Sequence, residues 1–264
     1  VSLAKIFTVT KNESDLIEDF IAYHGAIFGF DNVCVIDNNS TCPKVLDVYD
    51  RMKEFGVTVV REGSYLDGGQ GKAFTKYMTM YKSSCKFLIG LDTDELLFIS
   101  NLPQNMNLAQ LKKTIHARLN TLPISASKFR VNTYYSSVPD PTSTEYVDQK
   151  IGRPCVDITT FKKCETSPRK YFFRAATFLS TTNGSHRGMT SRGSTIDSGL
   201  SYFHFHDTGC RRSVERARAI VCGYGYTDVD MPLEKQLRSL SAVSRGSGCF
   251  GSHRVVEYQC FLGR

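Results

Sequence analysis

The sequence has no apolar run long enough to span a bilayer, so a transmembrane helix is excluded and membrane association is not evident. No signal peptide is visible, although the chain starts at Val1 rather than Met, which leaves room for residues upstream. Its nine cysteines include no metal-type Cys-x-x-Cys pair and follow no regular spacing, which excludes the common zinc modules. No finger, basic zipper or RNA-binding signature accompanies the net charge of +7, so nucleic acid is not the expected partner. There is no internal repeat, low-complexity tract or clear linker. What remains is a globular chain of 264 residues, 41% hydrophobic and 22% charged, long enough for a proper core. The positive charge suits phosphate-bearing small molecules.

Cys34, Cys85 and Cys222 sit in apolar runs, where a free thiol packs as a small hydrophobe. A reducing compartment, the cytoplasm, is expected. Asn12, Asn38, Asn39 and Asn183 carry glycosylation sequons, and several fall at the site proposed below, where a glycan would block function.

The first half alternates strand and helix. "AKIFTV", "NVCVID", "VTVV" and "KFLIGLD" read as strands. "ESDLIEDFIAYHGAIFG", the run from Pro43 to Phe55 and "GKAFTKYMTMYKSS" read as the helices between them. Strands separated by such helices imply βαβ units: an α/β fold with a mixed, mainly parallel sheet flanked by helices. Ligands bind beyond the carboxyl ends of strands in such sheets. Those ends carry Lys11-Asn12-Glu13, Asp37-Asn38-Asn39 and Asp92-Thr93-Asp94. After Pro103 the pattern predicts a helix at "LAQLKKTIHARLN", strands at "SASKFRVNTYYSS", "KYFFRAATFLS" and "GLSYFHFH", a long loop over 138–168, and a helix at "RSVERARAIVCGY".

"IGLDTDELLFIS" places three acids in the edge of an apolar run. A turn explains one Asp. On an extended backbone Asp92 and Asp94 point to the same side, where they repel unless a cation intervenes. A hard divalent ion with oxygen ligands, Mn²⁺ or Mg²⁺, resolves this. His204 and His206 alternate with Phe203 and Phe205, so both imidazoles face one side of a strand. With Asp207 beside them they are candidates for a metal or phosphate contact. His186, flanked by glycines, belongs to a loop that could face a sugar or diphosphate. His24 reads as structural, and His116 and His253 as surface residues.

"KNESDLIEDFIAYHGAIFGFDNVCVIDNNST", "LDTDELL", "SHRG" and "YFHFHD" together resemble the GT-A glycosyltransferases of the family-2-like and family-92-like group. The resemblance covers the first hundred residues well and 169–220 loosely. It implies a single Rossmann-like GT-A domain over 1–264, with a nucleotide-sugar half to residue 100 and an acceptor half after it. It implies a UDP-sugar donor and a glycan acceptor. A divalent ion would contact Asp94 and Asp92. Asp37 would bond the base or ribose, with Lys11, Asn12 and Glu13 lining the same pocket. Gln70 and Lys72, in the run Gly68-Gly69-Gln70-Gly71-Lys72, would contact the donor; a flexible loop is the equal alternative there. An inverting enzyme needs a carboxylate base. Asp140, Asp157, Glu165 and Asp207 are candidates, with Asp140, Asp207 and His186 preferred as catalytic residues. Two other functions fit the same acids: a nucleotidyltransferase, and a non-catalytic sugar- or nucleotide-binding module.

Overall fold

The computed structural model describes residues 1–62, 69–100, 106–136, 161–163 and 169–205. The parallel half of the sheet is built as expected. Strands β1 (Ser2–Thr10), β2 (Val33–Asp37), β3 (Thr58–Arg61) and β4 (Cys85–Gly90) alternate with helices α1 (Ile17–Phe28), α2 (Pro43–Glu54) and α3 (Gly69–Tyr81). Pro43 opens α2, where its missing N–H costs nothing. Gly29 and Gly56 stand just past α1 and α2 with φ of 94° and 96°.

The rest comprises β5 (Glu95–Ile99), α4 (Leu108–Asn120), β6 (Ala126–Ser136), β7 (Phe161–Lys163), β8 (Lys170–Arg174), β9 (Phe178–Thr181), β10 (Gly188–Thr190) and β11 (Ser194–His204). Asn107 and Gln110 cap the N-terminus of α4 with a reciprocal capping box. The main sheet runs β3-β2-β1-β4-β8-β6-β11-β5, with β7 against β6, while β9 and β10 form a separate ribbon. Pairing is parallel from β3 to β4. β8 is antiparallel to both its neighbours, β11 is parallel to β6, and β5 is antiparallel to β11. The sheet is therefore mixed, and its parallel order is concentrated before residue 90. The expected division near residue 100 falls within this sheet, since β5, β6, β8 and β11 continue it.

Central strands are apolar on both faces, as strands covered by helices must be. Ile6, Val33 and Val35 pack under α1, α2 and α4. Phe7, Cys34 and Ile36 pack under α3. Phe87, Phe129 and Phe172 interlock in the first cluster, with Phe129 and Phe172 stacked at 4.9 Å.

Four details differ from the expectations. α1 starts at Ile17 because 14–16 form a turn, with Ser14 N–H donating to the Asn12 carbonyl. "KYFFRAATFLS" divides into β8 and β9 around a 3-10 turn at Ala175–Thr177. The stretch read as a long loop contains β7. His116 is half-buried rather than on the surface: its Nε2 meets the Ile27 carbonyl at 2.8 Å and its ring stacks on Phe28. His24 is structural as expected, fully buried and bridging the carbonyl of Phe20 and the N–H of Leu97. His253 and the segment "RSVERARAIVCGY" lie outside the described residues. Among those described, no helix is long and apolar enough to cross a membrane.

Candidate functional site

The carboxyl ends of β1, β2 and β4 are neighbours in the sheet, so the three polar clusters share one edge. β8 runs antiparallel to β4, which brings its first residue, Lys170, to that edge. β11 ends there with His204, opposite Glu95.

Asp92 and Asp94 do not lie on extended chain, while Glu95 opens β5. Leu91 leaves β4 and the backbone turns at once, with Glu95 N–H donating to the Asp92 carbonyl at 3.0 Å. The same-side reading of Asp92 and Asp94 is thereby corrected, because a turn sends successive side chains to different partners. The Asp92 carboxylate is 30% exposed and accepts from Lys170 Nζ at 3.1 Å and from Gln70 Nε2 at 2.5 Å. Asp94 is fully buried, its Oδ2 lying 3.2 Å from His204 Nε2. Phe205 N–H donates to the Asp94 carbonyl at 2.8 Å, tying the end of β11 to the turn. Glu95, buried, bonds Lys170 and the Asp92 N–H.

These contacts set the charges. Burial alone would raise the Asp92 carboxyl, but Lys170 and Gln70 more than offset it and hold it low. Burial pushes Glu95 up to about 7 against the pull of Lys170. Burial would lower Lys170, and the two carboxylates raise it instead. His186 is lowered by burial and by Lys170, which leaves it neutral near pH 7.

The turn Asn183–Ser185 docks on the first residues of α3. Gly184 N–H donates to Gln70 Oε1 at 2.6 Å, and Gly71 N–H donates to Asn183 Oδ1 at 2.7 Å. Gln70 therefore spans from this turn to Asp92 and carries His186 toward the acids. Ser185 holds a φ of 54° while fully buried, a left-handed conformation that a side chain tolerates only under packing constraint.

Beside this cluster is a pocket of about 150 Å³ lined by Val9, Ile36, Asn38, Glu62, Gly69, Lys72, Ala73 and Lys76. It sits at the ends of β1, β2 and β3 and reaches Gly69, the residue before Gln70. Lys72 lines it as a sequence candidate. Glu62, which accepts from Lys76 and from Tyr77 Oη at 2.9 Å, was not singled out.

The other candidates divide. Asp37 is at the shared edge but fully buried, accepting from Ser40 N–H at 3.0 Å and Tyr49 Oη at 3.1 Å, with Arg61 Nε at 3.3 Å. Asn12 caps the approach to α2, its Oδ1 accepting from the N–H groups of Thr41 and Cys42 at 2.8 and 2.9 Å. Lys11 is exposed and Glu13 half-buried. Asp140, Asp157, Glu165, His206 and Asp207 lie outside the described residues.

A divalent cation is tested by its donor set. Asp94 Oδ2 and His204 Nε2, 3.2 Å apart, have the spacing of two adjacent ligands of one ion, about 3 Å. Carboxylate and imidazole both suit Mn²⁺. Among the described residues no group of three His, Cys, Asp or Glu side chains is poised to hold an ion. Two protein ligands fit a cation whose remaining positions are filled by a bound diphosphate and water.

No family model matches this sequence, and no curated protein matches it. Among solved structures, S. aureus TarS 1–349 aligns over 99% of this chain and 78% of its own, at 13% identity and a TM-score of 0.45. The same protein in complex with UDP-GlcNAc aligns over 99% and 79%, with the same identity and score. Glucosyl-3-phosphoglycerate synthase from Mycobacterium tuberculosis, in complex with Mn²⁺, UDP-glucose and phosphoglyceric acid, aligns over 86% and 81%, at 14% identity and a TM-score of 0.39. Likeness this loose carries no argument about chemistry. The site's own geometry has to do so.

Lys170, like Glu62, is a residue that sequence reasoning missed. Three carboxylates in four residues demand a countercharge, and a lysine opening the apolar run "KYFFR" was the available signal.

Proposed function

We propose that this chain is a GT-A-type glycosyltransferase, moving a sugar from a nucleotide-diphosphate donor, a UDP-sugar, to a glycan acceptor. One observation carries the reading. The pocket at the ends of β1–β3 and the acid turn with His204 and His186 adjoin along one sheet edge, joined by Gly69 and Gln70. That is the arrangement a ligand with a nucleoside at one end and a reacting sugar at the other requires.

The nucleoside occupies the pocket, against Asn38 and Lys72. Asp94 and His204 would hold Mn²⁺ or Mg²⁺, which when bound would supply Lewis-acid stabilisation of the leaving diphosphate. Gln70 and Lys170 hold the Asp92 carboxylate rigid beside it, so little reorganisation accompanies charge development. His186 faces its Nδ1 toward the Arg169 carbonyl at 3.4 Å, which leaves Nε2 to accept a hydrogen bond from a sugar or acceptor hydroxyl. Asp140 and Asp207 are the carboxylates proposed for the base. Residues 1–100, joined by His204, supply the donor side and other later residues the acceptor side.

Isothermal titration of UDP-sugars and nucleoside triphosphates, with and without Mn²⁺, and a donor-hydrolysis assay test this. Mn²⁺-dependent binding and slow hydrolysis of one UDP-sugar is the expected result. Pyrophosphate release from a triphosphate would reassign the chain as a nucleotidyltransferase, and binding without any hydrolysis as a binding module.

A further inference from the structure

The sheet edge opposite the pocket and the acid turn has a chemistry of its own. β1, β4, β6 and β11 begin there and β8 ends there, neighbours in the order β1-β4-β8-β6-β11. The segments forming this edge, residues 1–2, 82–86, 120–126, 174–177 and 191–195, contain no Asp or Glu. They carry Lys82, Lys86, Arg174 and Arg192, all exposed except the half-buried Arg174. Asp31 and Glu54 stand beyond β1, where β2 and β3 begin.

Among these cations is Ile124, 89% exposed on the connection from α4 to β6. That connection is tied down on both sides of Ile124. The Arg174 guanidinium donates to the Pro123 and Ala126 carbonyls, both at 2.9 Å, and Ser194 N–H donates to the Ser125 carbonyl at 3.2 Å. Lys86 reaches the same connection, its ammonium 3.5 Å from Asn120 Oδ1. With strands about 4.8 Å apart, Lys86, Arg174, Ile124 and Arg192 stand within about 15 Å along four successive strands. Met80, 64% exposed in the last turn of α3, adjoins Lys82. An isoleucine held in water by its own backbone contributes nothing to the core.

We propose that this edge docks on an anionic lipid bilayer, with Ile124 and Met80 entering the headgroup layer and the four cations facing lipid phosphates and carboxylates. The proposal is independent of the glycosyltransferase reading. Charge selects the partner: an anionic leaflet attracts each Lys or Arg, and an aliphatic side chain between them gains by leaving water. Nucleic-acid and protein interfaces are anchored by aromatic rings, and these segments contain none. The contact lies on the surface of the bilayer, and it leaves the donor pocket at the opposite edge open to solvent. No stretch of sequence announces it, because strand order alone brings its residues together.

Co-sedimentation of the full chain with vesicles tests this, using phosphatidylcholine alone or with about a third phosphatidylserine. Binding to the anionic vesicles only, lost at about 1 M salt, is the expected result. Lys86→Gln with Arg192→Gln should weaken partitioning about 30-fold, at about fivefold per charge. Ile124→Ser should weaken it about tenfold. Lys86→Arg should bind like the parent. Lys44→Gln removes an exposed charge at the start of α2, on the opposite edge, and should change nothing. Arg174 is left intact because it holds the connection, and thermal melting checks the fold of each variant. Failure to bind anionic vesicles, full binding by Ile124→Ser, or an equal loss per charge in Lys44→Gln would overturn the proposal. Tighter binding to single-stranded DNA than to the vesicles, weakened by the same substitutions, would overturn it too and reassign the face to nucleic acid.

Discussion

Gly71→Ala probes whether the docking of α3 on the Asn183–Ser185 turn assembles the site. Gly71 lies in the first turn of α3, where its N–H has no helical partner and bonds Asn183 Oδ1 instead. A methyl group there would meet Asn183 N and Thr182 C at 2.7 Å and Thr182 Cα at 2.9 Å. All three are backbone atoms, which cannot rotate aside. Helix propensity favours alanine by about 1 kcal/mol. Overpacking against backbone costs about 1–3 kcal/mol. Moving the turn away also breaks the Asn183 and Gln70–Gly184 hydrogen bonds, each worth about 0.5–1.5 kcal/mol. The costs exceed the gain, and a net loss of about 3 kcal/mol is expected in urea denaturation. Gln70 would lose its anchor on the turn while still facing Asp92, so donor affinity should fall in the fraction that folds. Asn183→Ala separates the lost hydrogen bond from the clash and should cost only about 1 kcal/mol. A Gly71→Ala protein more stable than the parent, with unchanged donor binding, would refute the docking.

Asp94→Asn keeps the shape beside His204 and removes the charge; turnover should fall at least about a hundredfold, and near-normal turnover would return Asp94 to a structural role. Excess EDTA should abolish transfer and Mn²⁺ restore it; full activity under chelation would remove the cation from the mechanism. Phe172→Ala opens a cavity between Phe87 and Phe129 and should cost about 3–5 kcal/mol, read as a lowered melting temperature. Burial lowers His24 to about 3, below the ordinary 6.5, so the unfolded chain takes its proton first as pH falls. Stability from this group is complete above about pH 6.5 and declines toward pH 3, by about 2 kcal/mol between neutrality and pH 5. His24→Asn should flatten that slope, and an unchanged slope would place its cause elsewhere.

Local pattern was enough to determine the parallel half of the fold. β1 to β4 and the helices between them follow from apolar runs of strand length, from 3.6-residue periodicity, and from Pro43, Gly29 and Gly56 at helix ends. These signals act within one element, so sequence carries them. That the clusters after β1, β2 and β4 share an edge follows from βαβ geometry, and it is what the sheet order displays. Only tertiary structure decided what the acids do there. The turn at Asp92–Glu95 parts two carboxylates that an extended chain would have aligned, and hands one to Lys170 and Gln70 and the other to His204. Asp37 and Asn12 look like ligand contacts in sequence, yet in the fold their side-chain oxygens bond Ser40 and Tyr49, and the Thr41 and Cys42 amides. Lys170 stands 78 positions from Asp92, and it reaches the turn because β8 inserts antiparallel between β4 and β6. Strand order of that kind is set by which faces must be buried together, a property of the whole sheet that no single stretch of chain encodes.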